Sequence, residues 1–238
     1  MVARTTSLLI TCEHGGNRIP ARYQPLFAGR VGLLDSHRGY DPGALAMARE
    51  LAHHFRAPLT YATVSRLLVD LNRSIGHRAL YSDATRGLSR IEHARILARH
   101  YVPYRNKVEA LVARAIAAGP CVVHIASHSF TPILDGRVRN ADIGLLYDPA
   151  RPGERALCAQ WAATLAAAIA PLCVRRNYPY QGRNDGLMRR LRQQHGARRY
   201  VGVELEINQK HLTAQQRFPE AISRSVVESL RDTLADRL

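Results

Sequence analysis

LLITCEHGGNRIP, residues 8–20, passes from apolar to polar within a single residue. Leu8, Leu9, Ile10 and Thr11 read as a short buried strand, and Glu13, His14, Gly15, Gly16 and Asn17 form its tip. Open α/β sheets carry their sites at the carboxyl ends of strands. A strand tip bearing a carboxylate, an imidazole and an amide is therefore both a fold signal and a chemical one.

The rest of the chain repeats the pattern. Further apolar runs are PLTYATV (58–64), RLLVDL (66–71), CVVHIA (121–126), DIGLLY (142–147), LCVRRN (172–177) and YVGVELEI (200–207). Between them lie helical patterns. PGALAMARELAHHF (42–55) sets Leu45, Ala48, Leu51 and Phe55 on one face, and RPGERALCAQWAATLAAAIA (151–170) and EAISRSVVESLRDTLADR (220–237) are two more. A long pattern at 89–119 should kink or split at Pro103 and stop at Gly119. Strands alternating with helices of this length predict an α/β fold: a mixed, largely parallel central sheet with helices on both faces. No repeat, low-complexity segment or long linker divides the chain, so one domain is expected.

Composition narrows the function classes. The chain has 238 residues and a formal net charge of +15, almost all of it arginine, since Lys107 and Lys210 are the only lysines. The arginines are scattered rather than gathered on a basic arm, and no RNA-binding or zinc-finger spacing is present, which argues against nucleic acid as the partner. No run of eighteen apolar residues exists to span a membrane, and the apolar run at the N-terminus is too short for a signal peptide. A cytoplasmic protein is expected. Cysteines 12, 121, 158 and 173 lack metal-binding spacing and read as free thiols.

The strand ends supply the candidates. His14 and His128 each stand at a strand-to-loop junction beside small residues. Neutral imidazole is a common zinc ligand, and a catalytic zinc takes three protein ligands and keeps one open position. The glycines after His14 would let backbone pass close to a metal or substrate. The third ligand is open among Glu13, Asn17 and Asp41. Asp41 precedes Pro42 at a helix start, so it reads equally as an N-cap. In DLNRS (70–74), Asn72 and Arg73 offer a directional donor and a planar fork suited to a carboxylate, unless Asp70 and Arg73 pair locally in a turn. In the last strand Val201, Val203, Leu205 and Ile207 alternate with Gly202, Glu204, Glu206 and Asn208. The second set forms either a solvent face or, in a central strand facing the histidines, a wall holding a general base.

CEHGGNRIP, HRGYDPGA, SRLLVDLNRS, SHSF, DIGLLYDP and VELEINQ, taken together and in order over residues 8–210, resemble the N-formylglutamate amidohydrolase family. That family is similar to zinc carboxypeptidases and aspartoacylase-type deacylases with a phosphorylase/hydrolase-like fold. The resemblance implies one such domain over 1–238, Zn2+ or another divalent metal at His14 and His128, and Asn72-Arg73 as a carboxylate clamp. It implies Glu206 as the base that activates water, with Glu204 second. Where relatives have an HxxE zinc pair this chain has His14-Gly-Gly-Asn17, and Ala126 replaces an aspartate two residues before the second histidine.

The expected activity is metal-dependent hydrolysis of the amide bond of a small anionic N-acyl, such as N-formyl, amino acid. Metal would be held by His14, His128 and Asp41, with Arg66 or Asn17 at the oxyanion and Arg183 and Asn184 completing the anion pocket. The alternative is a non-catalytic carboxylate-binding relative without metal.

Overall fold

The alternation in residues 200–208 organises the molecule. The computed structural model describes residues 6–119 and 121–235. In chain order its first elements are β1 (Ser7–Cys12), α1 (Val31–Leu34), α2 (Ala44–His54), β2 (Leu59–Tyr61), α3 (Arg90–Ile96) and α4 (Val102–Ala118). Then come β3 (Val122–Phe130), the hairpin strands β4 (Ile133–Leu134) and β5 (Arg137–Val138), β6 (Ile143–Leu146) and α5 (Pro152–Ala168). The chain finishes with β7 (Val174–Arg176), α6 (Leu187–Gln194), β8 (Tyr200–Asn208) and α7 (Glu220–Leu234). The predicted last helix extends to residues 236 and 237, which lie outside the described residues.

The central sheet has six strands in the order β2-β1-β3-β8-β6-β7. The first four run parallel, and β6 joins β8 antiparallel. The fold is therefore the mixed, largely parallel α/β sheet expected. Val201, Val203, Leu205 and Ile207 pack with Ile10, Ile125 and the apolar faces of α2, α5 and α7. On the other face Leu9, Val122, Ala126 and Tyr200 pack against α4, α6 and the segment 67–71. Central strands buried on both faces leave polar side chains little room except at the carboxyl ends. No helix among the described residues is long and apolar enough to cross a membrane.

Two local expectations are corrected. RLLVDL (66–71) is not a strand but a run of turns, although Leu67, Leu68, Val69 and Leu71 are buried. Its main chain is satisfied without a ladder: Ser82 Oγ donates to the Leu67 carbonyl, and Thr85 Oγ1 to that of Leu68. Burial produced the strand-like pattern; side-chain hydroxyls replaced the pairing.

The helical pattern at 89–119 does not break at Pro103. A π-turn over Leu97–Tyr101 joins α3 to α4, and Pro103 is the second residue of α4. The wider turn interrupts the ordinary i→i−4 ladder just where proline could not complete it. It also turns three side chains inward. Tyr101 Oη donates to the Arg73 carbonyl at 2.7 Å, Tyr104 Oη to Glu13 Oε1 at 2.7 Å, and Arg105 to the Leu71 carbonyl at 3.0 Å.

Cys12, Cys158 and Cys173 are free thiols. Cys12 belongs to the α2–α5–α7 core rather than to the polar tip beside it, and burial pushes its thiol well above the ordinary value.

Candidate active site

Period-two geometry on three parallel strands brings one face of each tip together. Glu13 follows β1, His128 lies near the end of β3, and Glu206 is its register partner on β8. A cavity of about 160 Å³ opens at these tips, lined by His14, Asp41, Arg66, His128, Glu204 and Glu206, with Asn72 and Arg73 also in its wall.

His14, Asp41 and His128 are buried, and one donor atom from each lies within 4.8 Å of the others. Asp41 Oδ2 is the centre of the group, 2.8 Å from His128 Nδ1 and 3.3 Å from His14 Nδ1. Asp41 does not cap α2: that place belongs to Gly43, in the left-handed region at φ 81°, with no side-chain cap bond. Its carboxyl lies well below the usual range because His14, His128 and Arg66 together outweigh the opposing effect of burial.

Each imidazole then turns its outer nitrogen toward a second carboxylate. His14 Nε2 lies 2.8 Å from Asp70 Oδ1. His128 Nε2 lies 3.1 Å from Glu13 Oε2, close enough for an ion pair but not aligned as a hydrogen bond. Two imidazoles with inner nitrogens facing one carboxylate and outer nitrogens backed by carboxylates are the kind of donor set that could hold a divalent cation. The residues present fit such an ion. Burial opposes the charge on Glu13, yet His128 and the Tyr104 hydroxyl hold its carboxyl down at about 2. Opposing burial likewise, Asp41 and Glu13 raise His128 well above the ordinary imidazole value.

Across from this group, Glu206 is 5% exposed and its Oε2 is buried without a hydrogen-bond partner. Burial pushes its carboxyl up to about 8, with the nearby Asp41 and Glu204 charges adding to the shift. Burial raises Glu204 as well. Gly144 pairs with Glu206 on the other side. A Cβ at Gly144 would sit 2.0 Å from the Tyr178 carbonyl oxygen, so only glycine lets the 177–181 segment close over the glutamate.

The remaining candidates fall in different places. Arg66 lines the cavity, but its guanidinium bridges Asp41 and Asp70. Asp70 thus pairs with Arg66 and His14, not locally with Arg73. Asn72 Oδ1 accepts from the Leu187 N–H at 2.8 Å, tying the start of α6 to the cavity wall. Arg73 donates to the Asp185 carbonyl at 2.7 Å, and its Nε is buried without a partner. Asn184 lines the cavity, whereas Arg183 lines a separate cleft outside it. Asn17 is not in the lining; it donates to Asp35 at 2.7 Å. The glycines beside His14 serve a different purpose from the one expected. A Cβ at Gly15 would meet the Ala62 carbonyl oxygen at 2.9 Å, and one at Gly16 that of Thr63 at 2.8 Å. They admit the neighbouring main chain.

Sequence reasoning missed the supporting carboxylates. Glu13 stood open as a third ligand beside His14; the strand ends at Cys12, and after the turn Glu13 backs His128 while His14 meets Asp41 and Asp70. His37 and Tyr180 in the lining carried no sequence signal beyond their place in polar loops.

The family model described as N-formylglutamate amidohydrolase matches residues 6–213. The gene product Atu2144 from Agrobacterium tumefaciens is 32% identical, with a TM-score of 0.82 over 97% of this chain and 91% of that one. The N-formylglutamate amidohydrolase from Ralstonia eutropha JMP134 is 21% identical, with a TM-score of 0.72 over 99% and 96%, and shares the fold. No curated protein matches the chain.

Proposed function

Since the chain belongs to the N-formylglutamate amidohydrolase family, we propose that residues 1–238 form one domain that hydrolyses the amide bond of a small anionic N-acyl amino acid. A divalent cation, zinc by donor type, would be held by His14, Asp41 and His128. The observation that carries this reading is the partnerless, buried Oε2 of Glu206 facing a cavity that also holds that donor set. A non-catalytic carboxylate binder would have no use for it.

When bound, such an ion acidifies water and polarises an acyl carbonyl as a Lewis acid. The chain's own residues do the rest. Glu206 Oε2 takes a proton from the attacking water and returns it to the nitrogen of the leaving amine. A carboxyl at about 8 holds a proton strongly, and positive charge at the donor set draws it down toward a base's working range. Arg66, fixed by three hydrogen bonds to Asp41 and Asp70, keeps its remaining N–H groups for the oxyanion. Arg73 and Asn72 hold the substrate's carboxylate, so that the scissile carbonyl meets Glu206. The 177–181 segment, pressed onto Gly144, limits water at the base.

The test is turnover of a panel of N-formyl and N-acetyl amino acids by chelator-stripped and zinc-reloaded protein. Hydrolysis of an acidic member, lost on stripping and restored by zinc, is expected. Hydrolysis indifferent to chelation would remove the metal from this reading, and none at all would remove the activity.

A further inference from the structure

Beside the catalytic cavity lies a larger cleft of about 860 Å³. The two share Arg73, Asn184 and Asp185, so one ligand can lie across both. Small-molecule sites ordinarily run to about 300–1,000 Å³. The inner cavity, at about 160 Å³, falls below that range, and the outer cleft lies within it.

The charges of the cleft do not cancel. Arg151 and Arg192 are paired with Glu154. Arg183 and Arg189 are exposed and make no ion pair among the described residues. Asp148 and Asp185 also line the cleft, but neither forms an ion pair with Arg183 or Arg189: Asp185 accepts from the main chain and the hydroxyl of Ser74, and Asp148 Oδ1 from the Ala150 N–H, so arginines still outnumber carboxylates there. Arg73 stands at the junction with its buried Nε unpartnered. A carboxylate held by Arg73 therefore has, directly beyond it, open volume faced by two guanidinium groups without an ion-pair partner.

We propose that the outer cleft is a second anion subsite: Arg73 holds the side-chain carboxylate of the first residue, whose α-carboxyl is spent in a peptide bond, and the cleft receives a carboxylate of the residue after it. The favoured leaving amine is then an acidic dipeptide rather than a single acidic amino acid. This rests on the amidohydrolase reading only for the direction of the substrate, with its amine side toward Arg73.

The experiment is calorimetric titration of glutamate and of α-glutamyl-glutamate into the native protein, Arg183→Ala/Arg189→Ala and Arg183→Lys/Arg189→Lys. The dipeptide should bind roughly tenfold more tightly than glutamate to the native protein, as a charge-assisted contact gives. That ratio should fall to within about twofold in the alanine variant, stay mostly intact in the lysine variant, and shrink with added salt. Equal affinities in the native protein, a ratio unchanged by the alanine variant, or no binding of the dipeptide would each overturn the subsite. Turnover of N-formylglutamate and of N-formyl-α-glutamyl-glutamate by the zinc-reloaded protein, followed in parallel, separates the two readings. A dipeptide preference without turnover leaves the subsite standing and removes the hydrolase, and turnover without the preference does the reverse.

Discussion

The two walls of the cavity are built in opposite ways. One is carried by strand tips: Glu13, His128 and Glu206 sit on or just past β1, β3 and β8, and most of their polar atoms face one another under nearly complete burial. The other is carried by turns at 66–73 and 177–186, where Asn72 and Arg73 are held mainly by bonds to main chain and are only partly buried. Buried charges that answer one another are rigid and hard to replace one at a time. A partly buried guanidinium held by main-chain carbonyls answers no buried charge of its own and is left to act on whatever enters. The first wall is suited to chemistry, the second to recognition.

That division can be broken by measurement. Glu206→Gln should lower kcat by about 10²–10⁴-fold, the usual contribution of a positioned base, while KM changes little. Activity within tenfold of native would take the base away from the strand wall. Arg73→Ala should lower kcat/KM by roughly 10–100-fold, mostly through KM, as expected for a charge-assisted contact. Its melting temperature should stay near the native value; a fall chiefly in kcat would make Arg73 part of the chemistry.

Tyr104→Phe removes the hydroxyl that fixes Glu13, and through Glu13 the outer nitrogen of His128. Loss of such outer support costs about 10–100-fold in metal affinity. Tyr104→Phe should fall at the lower end in competition with a chelator, and an unchanged affinity would reduce the Tyr104–Glu13 contact to packing.

The smallest effect concerns the metal-free protein. Glu206, near 4.3 when unfolded and about 8 when folded, binds more protons folded than unfolded between those values. Its contribution to stability therefore falls as pH rises from about 4 to about 8. Glu206→Gln should gain on the native protein in melting temperature as pH rises across that window. A difference independent of pH would contradict the burial of this carboxyl.

The comparison also shows what could be read from sequence. The strand wall was legible because periodicity reports which face a side chain occupies: residues 200–208 announced Glu204 and Glu206 on one face, and their strand is central. His14 and His128 were legible as strand-tip histidines. The turn wall was not. RLLVDL is as buried as a strand, and the hydroxyls of Ser82 and Thr85 that replace its pairing lie more than ten residues away. Asp70 and Glu13 became supports of the imidazoles through contacts spanning 56 residues and from one strand to another. Asn17 looked like part of the tip by spacing, but the turn carries it outward to Asp35.

The central claim is that His14, Asp41 and His128 hold one divalent ion. Zinc titrated into chelator-stripped protein, with His14→Ala/His128→Ala as the comparison, tests it most directly. The structure predicts one ion per native chain and none in the double variant. No uptake by the native chain, or equal uptake by both, would contradict it.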